Sequence, residues 1–432
     1  MLRLVSATFF RQVFAGILQI ITLVIIARVL SVSEMGQYTI LILIPMLLSQ
    51  ILTLGIQSAN IYGIGRKLIN ESQVLYINLI LLFLVSSVGT IVTIIFLLCF
   101  STKFFPGIPS DLLLLSTLAI MPLTFVTVLP SILQAIQKFV LFNIICIIQP
   151  LILLISIVLS IILVQSIYFI FYAYITASFI TFFILVGLLV KKIKPKKYSI
   201  KLFYKKFFSY SIQSHLSNIV TLLNYRSSLL IIGYFTSPIS VGIYSVGLQL
   251  VEKLWLPSQA ASTIILPKIT NLINNHEKEV AEITIDTARI VFIVTLIISV
   301  VFIGVLPFAI NLLFGIQYKE SIIIALILLP GILAWTPSRI LANDIAARGL
   351  ADVNLKNALY VLTLNIVLSL ILVPKFGIIG AGVATTIAYS FDLFLRLYAY
   401  KKITNINVGM KLIPRKSDYF LIISTLKGLR NV

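Results

Sequence analysis

Apolar runs long enough to cross a bilayer follow one another along this 432-residue chain, and they decide what it can fold into. They cover residues 8–30, 38–62, 76–100, 111–134, 140–165, 168–190, 208–234, 240–266, 287–314, 320–343, 355–374 and 378–400. A helix needs roughly 20 residues to cross about 30 Å of hydrocarbon, and each run supplies them. Lipid cannot satisfy backbone N–H and C=O groups, so an open-ended spanning segment must be helical. The first run, Thr8 to Leu30, is too long for the core of a cleavable signal and is expected to span. The predicted fold class is therefore an all-α integral membrane protein with about twelve transmembrane helices.

The charges fit that reading and give it a direction. Sixty per cent of the residues are hydrophobic and 11% are charged, against about 25% charged in a typical soluble domain. A formal charge of +20 would suggest nucleic acid in a soluble protein. Here no basic stretch alternates with exposed aromatics as such surfaces need, so nucleic acid is not expected as a partner. With the N-terminus placed in the cytoplasm, the inner joints and tails hold 23 Lys and Arg, eight of them between Lys191 and Lys206. The outer joints hold three: Lys103, Lys319 and Lys375. That asymmetry predicts both termini on the cytoplasmic side.

The longest polar joint of the first half, 191–207, divides six spans from six. The two sides carry a similar turn. Ser31–Val32–Ser33–Glu34–Met35–Gly36–Gln37–Tyr38 follows the first span, and Ser237–Pro238–Ile239–Ser240–Val241–Gly242–Ile243–Tyr244 follows the seventh. Both read Ser, four residues, Gly, one residue, Tyr, 206 positions apart. Two parallel six-helix repeats around a central cavity are expected, as in transporters that rock one half against the other. The expected organisation is an N-terminal lobe (1–190), a basic cytoplasmic linker (191–207), a C-terminal lobe (208–400) and a basic cytoplasmic tail (401–432).

Several chemistries find no support. Cys99 and Cys146 lie inside apolar runs, His215 and His276 are far apart, and nothing has metal-ligand spacing. No cofactor is expected. The stretch Gly377–Ile378–Ile379–Gly380–Ala381–Gly382 lacks the Lys and Ser/Thr of a nucleotide loop and opens an apolar run, which suits close helix packing through small residues. There is no Ser–His–Asp set, and no joint exceeds about twenty residues, so no catalytic domain fits between spans.

What remains is a set of ionisable residues at membrane depth. Each costs roughly 2.5–3.5 kcal/mol on the insertion scale, so each needs water, a partner or a ligand. Arg226 lies deep in the seventh span, Glu252 and Lys253 in the eighth, and Asp392 in the twelfth with Arg396 one turn on. Arg28 ends the first span at the outer face, while Arg11, Arg289 and Arg339 lie near inner ends. Snorkelling explains the terminal ones equally well. Asp392 and Arg396 share a helical face and could pair, and Arg226 could bridge to Glu252. Cations still outnumber anions, which points to a wet cavity that takes an anion. Arg226, Arg28, Lys253, Arg11, Arg289 and Arg339 are the candidate binding cations, and Glu252 and Asp392 the candidates for ion coupling or bridging. Prolines inside many spans, Pro45, Pro150, Pro330 and Pro337 among them, predict bent helices.

Certain stretches resemble a known family. Ala27–Arg28–Val29–Leu30 with Gly36–Gln37–Tyr38 comes first, then Gly242–Ile243–Tyr244–Ser245 running on to Leu266–Pro267–Lys268. Phe314–Gly315 with Tyr318 follows, then Asn365 with Pro374, Gly377 and Gly380–Ala381. In order and spacing these resemble the Wzx-type oligosaccharide flippases of bacteria, within the superfamily of multidrug, oligosaccharidyl-lipid and polysaccharide exporters. The chain departs from the family where Arg226 is followed by Ser227 and Ser228 rather than by an acid two residues on, so no coupling role carries over there. The resemblance implies an inner-membrane flippase, not an enzyme. It would turn a polyprenyl-diphosphate-linked oligosaccharide from the cytoplasmic to the outer leaflet by alternating access, for O-antigen, capsule or other surface polysaccharide. Implied partners are membrane lipids and a polysaccharide polymerase with its chain-length machinery. Arg would offer the diphosphate bidentate hydrogen bonds. A peptidoglycan-precursor flippase or a multidrug exporter stays open as an alternative, although the former generally carries two further helices and the latter cavity acids. A membrane-embedded polymerase or ligase is the alternative of another class, although such enzymes usually need a large outer loop.

Overall fold

The computed structural model describes residues 2–272 and 277–412. His276 and the tail from residue 413 lie outside the described residues. The described helices fall on all of the expected spans. In order they are α1 (Leu2–Val29), α2 (Val32–Ile51), α3 (Ile56–Gly65), α4 (Glu71–Phe104), α5 (Ser110–Ser116), α6 (Ile120–Val128), α7 (Pro130–Ala135), α8 (Phe139–Leu163), α9 (Ile167–Ile193), α10 (Ile200–Phe235), α11 (Pro238–Glu252), α12 (Leu256–Leu272), α13 (Glu277–Ala309), α14 (Glu320–Ala347) and α15 (Ala351–Thr404). No strand occurs among the described residues.

Where helix count and span count differ, local chemistry explains it. The second span is broken between α2 and α3, where Leu54 and Gly55 both take positive φ. The fourth is three short helices, with Pro130 at the start of the last. The eighth breaks at a 3₁₀ turn, Lys253–Trp255, just before Pro257. The eleventh and twelfth appear as one 54-residue element, α15. At about 1.5 Å per residue that length is far more than one crossing needs. The chain reverses at Gly377, whose φ of 54° and ψ of −134° are open only to glycine. A Cβ on Gly380 would collide with the Leu372 carbonyl across this hairpin, and one on Gly331 of α14 would come within 2.9 Å of Thr386 Cα. The small residues are there to let backbones approach.

Among the described residues, nine stretches are long and apolar enough to span by composition alone, with α15 counted as one. α10, α11 and α12 are not among them. Their sequences carry Asn224, Arg226, Ser227 and Ser228, and Glu252 and Lys253.

By internal packing the chain divides into residues 1–246 with 313–318, and residues 247–312 with 319–432. The first unit is built on a core in which Val74, Leu82, Val128, Ile132 and Leu189 of α4, α6, α7 and α9 are buried together. The start of the basic linker is pinned there: Ser72 Oγ donates to the Ile193 carbonyl at 2.8 Å and the Lys196 amide to the Ser72 carbonyl at 3.0 Å. The second unit is centred on α14 and α15, and its core includes Ile285, Leu341, Ile345 and Tyr400. Phe83, Val88, Ile91, Val92 and Leu98 along α4, and Val300 and Val301 on α13, are exposed, as faces turned to lipid must be.

Candidate functional site

The repeated turn acquires a physical meaning in the first unit. Ser31 caps α2: its hydroxyl accepts from the Glu34 amide at 3.3 Å while the Glu34 carboxylate accepts from the Ser31 amide at 2.9 Å. Ser237, just before α11, accepts from the Ser240 amide at 3.4 Å, and Pro238 takes the first helical position. Tyr38 and Tyr244 are both buried. The glycines between cap and tyrosine face each other. A Cβ on Gly36 would collide with the Pro238 carbonyl, and one on Gly242 with the Val32 carbonyl. Val32 and Pro238 are the same position in the two copies, so the contact is reciprocal, as across a two-fold axis. One turn on, the hydroxyls of Thr39 and Ser245, again 206 positions apart, lie 3.1 Å from each other. Each also sits 2.9 Å from a carbonyl of its own helix, Met35 or Gly242. The Gln37 amide donates to the Gly107 carbonyl at 2.8 Å, which ties the α4–α5 joint to the same place.

The predicted cations separate into two kinds. Those of α13 and α15 have a carboxylate on their own helix. Arg289 is buried, donates to Asp286 at 2.8 Å, and reaches the Lys411 carbonyl at 3.1 Å. Arg396 is buried, donates to Asp392 at 3.2 Å, and contacts the Asn354 side chain. Asp392 also accepts from the Ser338 hydroxyl. The remaining candidates have no carboxylate three or four residues away in sequence. Arg28 is exposed and donates to the Leu313 carbonyl at 2.7 Å, in the π turn Ile310–Phe314 that ends α13. Arg11 is half-buried on α1 beside α8, with its guanidinium 5.6 Å from the centre of the Phe142 ring. Arg339 is half-buried on α14, with a shielded guanidinium nitrogen that meets no partner among the described residues. Glu252 and Lys253 are half-buried at the break between α11 and α12.

Arg226 sits on α10 among polar neighbours. Asn224, Ser227 and Ser228 are buried, and Arg226 is half-buried. At about 100° per residue, Arg226 lies roughly opposite Asn224 and Ser228, so its side chain leaves from the other side of the helix.

One buried charge centre was not anticipated. Asp344 on α14 accepts from Arg348 Nε at 2.7 Å, from the Thr284 hydroxyl at 2.9 Å and from the Tyr400 hydroxyl. Arg348 lies just past the end of α14, between the tenth and eleventh spans. The four-residue spacing to Asp344 was the available signal.

Comparison with known proteins decides the family. Residues 1–267, more than half of the chain, match the family described as polysaccharide biosynthesis protein. The chain belongs to that family. Over 220 residues it is 29% identical to the capsular polysaccharide biosynthesis protein CapF of Staphylococcus aureus, covering 48% of this chain and 54% of that protein. Over 197 residues it is 24% identical to the probable low-salt glycan biosynthesis flippase Agl15 of Haloferax volcanii, covering 45% of this chain and 41% of that protein. The chain thus aligns with about half the length of these relatives. In fold it is similar to the lipid II flippase MurJ in an inward closed conformation, with a TM-score of 0.73 at 20% identity over 99% of this chain and 96% of that one. This family member is a multi-pass helical membrane protein with the fold of that transporter.

Proposed function

We propose that the protein is a flippase that carries a polyprenyl-diphosphate-linked oligosaccharide from the cytoplasmic to the outer leaflet of the bacterial inner membrane, for surface polysaccharide assembly. It works as a transporter without catalytic residues, with both termini in the cytoplasm. The lobes 1–190 and 208–400, joined by the linker 191–207, alternate access. Arg226 is the first candidate to bind the diphosphate, with Arg28 and Lys253 next. The polymerase and chain-length proteins that use the product are the expected partners.

The observation that carries this reading is the reciprocal contact of Gly36 and Gly242. Two helix starts meet there backbone to backbone, with one pair of hydroxyls 3.1 Å apart. Close backbone approach at a repeated turn is what the outer closure of an alternating-access transporter would use. The family and the names of its glycan-assembly relatives support the substrate class.

The test is reconstitution into proteoliposomes with a fluorescent polyprenyl-diphosphate oligosaccharide in both leaflets. With the protein present, a membrane-impermeant quencher should reach the whole population. In its absence it should reach only the outer leaflet. Equal quenching with and without protein contradicts the proposal. Flipping of lipid II but not of the oligosaccharide lipid would favour the peptidoglycan-precursor reading.

A further inference from the structure

A second polar site lies on the lipid-facing side of the first unit. A cavity of about 430 Å3 opens between α1 and α8. Its rim is apolar and exposed: Phe10, Phe14, Val140 and Ile144. Its polar lining is Arg11 and Asn143. Asn143 is buried to nine-tenths, and its carbonyl oxygen meets no partner among the described residues. The Arg11 Nε is likewise shielded and without a hydrogen-bond partner there, although its guanidinium lies beside the Cys146 thiol. An Arg one turn inside an apolar span ordinarily stretches its head to the water interface. Here the Nε stays under the protein surface instead. A shielded charged donor and a shielded neutral acceptor on the wall of one cavity leave two hydrogen bonds to be made, and leaving them unmade is costly.

We propose that this cavity binds one phospholipid of the cytoplasmic leaflet, with its phosphate on Arg11, a headgroup hydroxyl or ammonium donating to the Asn143 carbonyl, and an acyl chain along Phe14 and Ile144. The chemistry sets the ligand. Arg needs an anionic acceptor, for which phosphate is the best match in a bilayer. The amide carbonyl needs a donor next to it, which a glycerol or ethanolamine headgroup carries. The aliphatic and aromatic rim needs a hydrocarbon chain. The volume lies at the small end of the range for ligand pockets, enough for one headgroup and part of one chain and too small for an oligosaccharide repeat. Depth agrees as well: Arg11 and Asn143 both stand one turn inside the ends that the charge asymmetry places at the cytoplasmic face. The site uses none of Arg226, Arg28 and Lys253, and it gives Arg11, one of the six candidate cations of the sequence, a different ligand; it does not depend on the flippase reading.

Photoreactive phosphatidylglycerol, incorporated with the purified full-length protein into nanodiscs, tests the proposal when the labelled peptides are mapped by mass spectrometry. Labelling should concentrate on residues 10–14 and 140–147. Arg11→Ala should lower it by about tenfold, the loss expected for one charge-assisted hydrogen bond, with labelling elsewhere unchanged. Asn143→Leu, which removes the acceptor and keeps the bulk, should lower it by less and guards against misfolding of the first variant. Labelling spread evenly over the lipid-facing helices overturns the proposal. So does labelling at this cavity that neither substitution reduces. If a sub-stoichiometric amount of polyprenyl phosphate abolishes it, the cavity belongs to the carrier and the phospholipid assignment is wrong.

Discussion

The membrane arginines of α13–α15 and those of α1 and α10 solve the same problem in opposite ways. In the former three of the cations, all but Arg339 of α14, have a carboxylate three or four residues before them: Asp286 with Arg289, Asp344 with Arg348, Asp392 with Arg396. Each such pair is made on a single helix, so it is set as soon as the helix forms and does not depend on how larger parts of the molecule move. Arg11, Arg28 and Arg226 have no such neighbour. Arg28 uses a backbone carbonyl of a distant turn, and Arg11 borders a cavity. A cation neutralised by its own helix is part of the framework.

The comparison breaks most visibly at Asp344, which is fully buried and accepts from three side chains. Asp344→Ala leaves Arg348 uncompensated, and breaking one side of a buried pair costs about 3–5 kcal/mol. Thermal unfolding in detergent should show a large loss, with membrane abundance falling in parallel. Replacing both Asp344 and Arg348 by neutral residues should recover much of it. Arg226→Ala, by contrast, should leave unfolding almost unchanged.

A smaller effect is expected at the glycine contact. Gly36→Ala drives a methyl group into the Pro238 carbonyl, and overpacking of this sort costs about 1–3 kcal/mol. Disulfide formation in a Thr39→Cys, Ser245→Cys double variant, with Cys99 and Cys146 replaced, reports whether the turns are together. The pair should oxidise readily and stop flipping until reduced. Adding Gly36→Ala should lower the yield. Ready oxidation with undiminished flipping would remove this contact from the transport cycle.

The smallest effect belongs to Lys356 and Asp352, which form a 3.4 Å pair with both side chains well exposed. Exposed pairs of this spacing are worth about 0.3–0.5 kcal/mol. Lys356→Gln should move neither stability nor flipping measurably, which marks the lower bound of what own-helix pairing contributes.

Much of this was open to reading in the sequence. Apolar run length fixes the spans because the bilayer sets a length scale that nothing else in the chain competes with. The Ser-x4-Gly-x-Tyr repeat was visible, and so was its offset. The caps at Ser31 and Ser237 are local, and Ser31 with Glu34 carried the capping signature in the sequence, but the approach of Gly36 to Gly242 is set by tertiary packing. The Asp392–Arg396 pair follows from spacing, whereas the partner of Asp344, Arg348, lies beyond the apolar run 320–343 and carries no such signal within a span. A site for Arg11 on the lipid side had no sequence signal, since Asn143 lies 132 positions away and only the packing of α1 against α8 brings both to one cavity.

The central claim is that Arg226 binds the travelling anion rather than holding the fold together. Its most direct test measures flipping of the polyprenyl-diphosphate oligosaccharide in proteoliposomes for wild type, Arg226→Lys and Arg226→Ala at matched protein content. The account predicts unchanged abundance and unfolding in both variants, partial flipping with Lys, which keeps the charge and loses the fork geometry, and none with Ala. Full flipping by Arg226→Ala would contradict it. So would a loss of flipping that only follows a loss of folded protein and is restored by Glu252→Gln, because Arg226 would then be half of a structural bridge.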